Sequence, residues 1–522
     1  MTMTHPGLPV GWVWFIGLSM LLLVIWTLRT KPPGHNSHPL LLLQMPLQHI
    51  PLIGGLFAWL NRRTWPLLIL KIVFALLFLL IIFAGLSGTA IPERNLATTL
   101  TWNLWWSGVV IAILFTGSAW CAVCPWDNIA NWLVKRSIWR RASTGSSASS
   151  SLSLTVPTWL RNLWPATFLF AGLTWLELGV GIVASPYTTA LLALAMIVAA
   201  TMTLALFENK AFCRYMCPVG RTIGVYSQLA PIALRSIDAD ICKSCKTLEC
   251  YHGNDKIAPC PTGLIIGRLQ ESTYCTSCGN CTQSCPSQNV GWQIRTPSVE
   301  AIQDARPHLD EAFFMLVLLV LTSFHGLTML DGWQSFISDL GQSLGDSGIL
   351  LLSFTLGLSA YTIVPIGLYA LVIDASRRLI NRGGTLNHKK RVNYKKLFAG
   401  FAFTTLPLAF SYHLAHNLNH LLREGADWAA LLANPLGTDT LPLSMMEKHM
   451  RHMTLMLPES VLFGLQAILM TIGFALAIQI IRHRGYRLFA AKGVQLLPMI
   501  LFAAGVTSFN LWMLIQPMVM RM

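Results

Sequence analysis

The sequence predicts an all-α polytopic membrane protein of about ten transmembrane helices, with one cysteine-rich domain inserted among them on the cytoplasmic side. Three observations predict it. Of 522 residues, 54% are hydrophobic and only 11% charged, and the apolar ones fall in uninterrupted runs of about 20, the length that crosses a bilayer as helix. Eight of the 12 cysteines lie between Cys242 and Cys285, and the other four form two pairs, so none is left over for a structural disulfide. Lysine and arginine concentrate in alternate loops, as expected of a chain that crosses repeatedly.

In chain order, residues 10–28 are a first span followed by Arg29 and Lys31, which places the N-terminus on the periplasmic side. No basic stretch precedes it, so it reads as a retained span and not a cleaved signal. Residues 39–60 mix apolar residues with Gln44, Pro46, Gln48, His49, Pro51 and a Gly54-Gly55 pair, a pattern for an interfacial or re-entrant segment. The first division is thus 1–65.

Two hairpins occupy 66–212. Their spans fall at about 66–87 and 103–121, then 159–183 and 187–207, with the serine-rich linker STGSSASSSLS between the hairpins. Each hairpin finishes with an inward helix, a cysteine pair and a proline: CAVCP at Cys121 and Cys124, CRYMCP at Cys213 and Cys217. This is a weak internal repeat. The cysteine-rich domain takes 213–310, and 311–522 supplies a five-helix membrane domain with spans at about 311–330, 348–373, 397–416, 459–481 and 494–517.

On this path 32 of the 37 lysines and arginines lie on the side of the cysteine-rich domain; the other five are Arg94, Arg423, Lys448, Arg451 and Arg521. The formal charge of +15 therefore reflects orientation and contact with anionic lipid of the bilayer, not a nucleic-acid partner.

Within the domain, CTSCGNCTQSCP from Cys275 to Pro286 is the C-x2-C-x2-C-x3-C-P run of bacterial ferredoxins. In that run three close thiolates wrap one [4Fe–4S] cluster and the fourth reaches a second. CKSCKTLEC with Cys260-Pro261 is a stretched copy. On this rule Cys242, Cys245, Cys250 and Cys285 hold one cluster, and Cys275, Cys278, Cys281 and Cys260 the other. Gly279 and Asn280 permit the tight turn, and each proline turns the chain away. Two structural zinc sites are the alternative, but zinc knuckles have no use for this run.

The paired cysteines at the helix ends, Cys121 with Cys124 and Cys213 with Cys217, are spaced i,i+3 and i,i+4. If the helices run to their ends, each pair shares a face. The four thiols could converge on iron–sulfur or soft-ligand Cu(I), shuttle as dithiol and disulfide, or be small buried residues.

On the outer half, His413, His416 and His420 form a helical stripe, and Met445, His449, His452 and Met456 align if that segment is helical. A b-type haem would take His413 or His416 with His325, His449 or His452. A copper site would combine methionine and histidine, and hydrogen-bonded interfacial histidines with methionine filler are the plain alternative. A hydrocarbon core of about 30 Å is too wide for one fast electron hop, which favours an intermediate carrier.

The stretch CRYMCPVGRTIGVYSQLAP, residues 213–231, closely resembles the second motif of membrane polyferredoxins of the NapH and NosR type, to which the copper-reducing CcoG proteins are related. Paired inward helices ending in Cys-Pro and followed by a two-cluster segment extend that resemblance over about residues 60–310. The resemblance implies electron transfer between a quinone pool and a periplasmic or membrane redox partner, as a subunit of a respiratory oxidoreductase in the bacterial inner membrane, for instance a quinol dehydrogenase. The chain lacks the flavin domain of NosR and has about five more spans than NapH. The rival expectation is a copper reductase, or a metal-handling assembly factor for a respiratory oxidase or reductase.

Overall fold

Runs of Leu, Ile, Val and Phe with no polar stripe can satisfy their backbone in lipid only internally, so they form long helices. The computed structural model describes residues 4–30, 44–135, 151–382, 391–424 and 428–519. Among these, nine helices are long and apolar enough to cross a membrane: Val10–Arg29, Trp65–Ser87, Leu96–Thr116, Pro186–Leu206, Leu309–Leu327, Leu351–Arg382, Tyr394–Arg423, Glu459–Phe489 and Gly493–Ile515. This is a multi-pass helical membrane protein. Leu309–Leu327 and Tyr394–Arg423 stand at its centre, with 78% and 100% of their apolar windows buried, against 17% for Val10–Arg29 at the lipid side.

The span expected at 159–183 is shorter than the others. An α-helix over Trp164–Trp175 widens into a π-turn over Leu176–Val180 and stops at Gly181, which is left-handed at φ +77°. It is not among the nine helices long and apolar enough to cross a membrane. The chain ends meet: Thr4–His5 pairs antiparallel with Met518–Val519, and the Leu8 N–H donates to Leu514 O at 2.8 Å.

A three-stranded antiparallel sheet, ordered Gln44–Pro46, Val290–Arg295, Ile232–Ser236, anchors the small domain at one end of the bundle. The expected interfacial segment at 39–60 begins outside the described residues. From Gln44 it supplies an edge strand, where Pro46 costs no ladder bond, and then the helix Gly54–Arg62. That helix is clasped to the domain by Thr282 Oγ1 donating to Asn61 O (3.2 Å) and Gln283 Nε2 to Arg63 O (3.3 Å). Leu52, Leu56, Trp59 and Leu60 remain exposed, as an amphipathic helix at a bilayer surface presents them. The serine-rich linker lies largely outside the described residues.

One carboxylate ties two strands of the small domain to the turn that leads into the bundle. Glu300 is 1% exposed and accepts from the guanidiniums of both Arg235 and Arg295, from Ser272 N–H at 2.7 Å and from Ser272 Oγ–H at 2.9 Å. Burial pushes its pKa up, but the two guanidiniums outweigh it and hold the carboxyl below its usual value. Behind it Arg484, on the helix Glu459–Phe489, donates to Ala301 O (2.5 Å) and Ala305 O (3.0 Å).

Candidate metal centres

All 12 cysteines are free thiols, and they gather in three sets of four. For the first set, the helix Ala239–Ser244 carries Cys242 and stops at Cys245; it is N-capped by Asp238, whose Oδ1 accepts from Asp240 N–H at 2.7 Å. Leu248, left-handed at φ +47°, turns the chain back to present Cys250. Cys285 arrives from the end of the helix Asn280–Ser284. Cys242, Cys245, Cys250 and Cys285 line one cavity of about 30 Å³.

Asn289 serves this set twice, donating from Nδ2 to Cys242 Sγ and from its backbone to Cys285 Sγ, both at 3.3 Å. Gly267 is pressed against it, since a Cβ there would stand 2.5 Å from Cys242 Cβ and 2.9 Å from its sulfur. Gly267→Ala is therefore expected to lose about four irons per chain with the second set intact, as read by iron analysis and by electron paramagnetic resonance.

In the second set, the left-handed residues Ser277 (φ +50°) and Gly279 (φ +79°) fold Cys275, Cys278 and Cys281 into successive turns. These three and Cys260 act electrostatically on one another, and Cys281 also feels Cys250 of the first set, so the two sets adjoin. Backbone N–H groups donate to the sulfurs, Ser277 to Cys275 (3.4 Å) and Leu264 to Cys260 (3.3 Å). Such bonds orient and tune a sulfur ligand. Cys285 thus lines a cavity with the first set, and Cys260 lies near Cys275 and Cys278 of the second.

The third set forms where the two repeats end. Cys121 lies in the short helix Trp120–Val123, and Cys124 precedes the helix Pro125–Lys135. Cys217 caps Pro218–Tyr226, its sulfur accepting from Gly220 N–H at 3.2 Å. Cys217 acts on Cys121, Cys124 and Cys213 alike. The shared helical face expected for Cys213 and Cys217 is not what aligns them. The span Pro186–Leu206 ends first, Asn209 and Lys210 are left-handed, and a π-turn at Phe212–Met216 carries Cys213. Turn geometry replaces helix register because the chain must swing from the bundle into the small domain.

Buried charge surrounds this third set. Asp127 pairs with Lys210 and accepts from Cys213 Sγ–H at 3.7 Å. Arg221, 2% exposed, donates to Thr273 O at 2.9 Å and lies 4.9 Å over the Tyr274 ring. Lys210 also acts on Cys278, so the second and third sets share a cation. Burial pushes Cys121 up to about 12, and it raises Cys124, Cys213 and Cys217 as well. Thiols that resist ionisation are poor at thiol–disulfide exchange. As four sulfurs beside two buried cations, the set fits a group that brings its own positive charge to the thiolates.

The histidines divide. His325, His416 and His420 each offer a ligand nitrogen, all within 4.8 Å of one another; no other trio of thiol, imidazole or carboxylate groups among the described residues is as compact. His413 turns elsewhere, with Nδ1 3.4 Å from the Tyr226 hydroxyl. His449 is exposed on the helix Met445–Met453, Met456 lies beyond that helix, and the side chain of His452 is outside the described residues. The outer set expected from sequence is thus only partly brought together. His420, part of the stripe but not chosen as a ligand, completes the trio through its i+4 spacing from His416.

Fold and cysteine geometry define the class, a multi-span membrane protein of the iron–sulfur kind. The family described as a 4Fe-4S binding domain matches residues 98–142 and 189–229, the repeats that hold the third set. The chain is also 30% identical over 135 residues to YccM of Escherichia coli (strain K12), a protein whose name provisionally assigns it to electron transport. That similarity takes in 25% of this chain and 35% of YccM, so the chain spans about a third of the curated relative it matches. No solved structure matches. The expected 4Fe–4S membrane protein is borne out by these matches; haem, copper and quinone are not addressed by them.

Proposed function

We propose that this protein transfers electrons between a quinone pool and a periplasmic or membrane redox partner. It holds two [4Fe–4S] clusters in the small domain and a third on Cys121, Cys124, Cys213 and Cys217. The observation that carries this is the gathering of 12 cysteines into three sets of four, the third within a matched 4Fe-4S binding domain. When bound, such clusters supply one-electron transfer. The residues of the chain enclose the sulfurs, donate N–H groups to them, balance their charge with Lys210 and Arg221, and set the three sites in series. With 32 of 37 lysines and arginines on its side, the small domain faces the cytoplasm of the bacterial inner membrane.

The quinone has a fitting place in an apolar groove of about 1390 Å³ along Leu309–Leu327, Leu351–Arg382 and Gly493–Ile515. On its wall Ser323 Oγ donates to Asn510 Oδ1 at 2.8 Å, and the Asn510 amide N–H, 1% exposed, has no partner among the described residues. A quinone carbonyl would satisfy that donor. Asn510→Leu should then weaken quinone binding roughly tenfold, the worth of one such bond, with iron content unchanged. Equal affinity in parent and variant would remove the groove from the account. Cys213→Ser with Cys217→Ser should lower iron by about four per chain and spare the signals of the small domain; unchanged iron would limit the chain to two clusters.

Copper handling is the second reading, favoured by one observation. Met445, Met446, Met450, Met453 and Met456 are all more than half exposed on the outer segment, and thioethers suit Cu(I). Replacing them by leucine should abolish Cu(I) uptake if that reading holds. Retained uptake would leave it without support.

A further inference from the structure

We propose that His325, His416 and His420 bind one first-row transition ion of the copper or zinc class, toward the membrane face opposite the iron–sulfur domain. The claim rests on the geometry of these histidines and stands apart from the electron-transfer reading. Imidazole suits such ions. With metal–nitrogen bonds near 2.0 Å, a tetrahedral site sets its nitrogens about 3.3 Å apart; His416 Nε2 and His420 Nε2 already stand 3.2 Å apart. The two sit one turn apart on a single helix face, the spacing used by helical histidine ligands.

The third ligand is oriented from behind. Glu177 Oε1 lies 3.5 Å from His325 Nδ1, on the side of the ring at which metal-binding histidines usually meet a carboxylate. Glu177 is itself placed by the π-turn Leu176–Val180, an irregularity that recurs at functional sites. A carboxylate and three imidazoles within spanning helices are costly unless they have such work. His325 and His416 also border a cavity of about 80 Å³, room for a water or small ligand at a fourth position.

A haem fits this place less well. Two of the three imidazoles rise from one helix and nearly touch. The site is, however, connected to the cysteines. Trp120, beside Cys121, packs against Trp105 (ring centroids 5.7 Å), Trp105 against Trp106 (6.0 Å), and Trp106 against His413 (5.8 Å), which precedes His416 by one turn.

The test uses the full-length protein, purified anaerobically, incubated with Cu(I) or Zn(II), desalted and analysed for metals. About one copper or zinc per chain is expected, as a single tetrahedral site would hold. It should be lost in His420→Ala and in His325→Ala with iron and sulfide unchanged, and retained in His449→Ala. Glu177→Gln should weaken the affinity about 10- to 100-fold, as outer-shell changes do. Where the alanine variants fail to fold, His420→Gln replaces them. No bound copper or zinc in the parent, equal metal in the His420 variant, or a pyridine haemochrome in the parent that disappears with His416→Ala would each overturn the proposal.

Discussion

Cys278→Ser will lower iron and acid-labile sulfide by about four per chain, and Cys285→Ser will remove a different four, because a cubane cluster needs its full set of thiolates. The assignment makes the outcome counter-intuitive. Cys285 follows Cys281 by four residues, yet it belongs with Cys242, Cys245 and Cys250, whose cavity it lines. Cys260 lies closer in sequence to Cys250, yet it acts with Cys275 and Cys278. Cys260→Ser should therefore abolish the same magnetic resonance signal as Cys278→Ser. If Cys260→Ser and Cys242→Ser instead removed one common signal, the exchanged ligation would be wrong.

Glu300→Gln is expected to destabilise the attachment of the iron–sulfur domain by about 3–5 kcal/mol, the cost of removing one partner from a buried ion pair. Arg235 reaches Glu300 from the strand Ile232–Ser236 and Arg295 from Val290–Arg295, so one carboxylate ties two strands to the turn that leads into the bundle. Glutamine keeps the shape but removes the negative charge that faces both guanidiniums. Cluster absorbance should bleach at a markedly lower temperature than in the parent, and an unchanged bleaching temperature would show that the domain is held elsewhere.

The pH dependence of this contact follows from the sign of its shift. The carboxyl is held below its ordinary value of 4.5 in the folded protein. Its contribution is therefore fully present above that value and is lost as pH falls through the lower folded one. Bleaching temperature should thus be insensitive to this group from neutrality down to about pH 5 and fall in stronger acid.

Much of this was legible in the sequence, for reasons that differ by element. Apolar runs fixed the long helices because lipid leaves the backbone no alternative. The exception, 164–180, ends early in a π-turn and Gly181, a local choice that hydropathy does not encode. The eight cysteines of the small domain stand out by their spacing because cubane ligation constrains loop length. Cys121, Cys124, Cys213 and Cys217 could be singled out by their repetition, but not placed. Their meeting depends on Asn209 and Lys210 breaking the helix and on Asp127 and Lys210 closing the gap between repeats. For the histidines, helical spacing found His416 and His420, while Glu177 comes from another hairpin and no periodicity links it to His325.

The central claim is that three sets of cysteines hold three clusters, and an iron and sulfide count on anaerobically purified protein tests it most directly. About twelve of each per chain is the predicted result. Zinc in place of iron, or a colourless protein without sulfide after reconstitution, would contradict it.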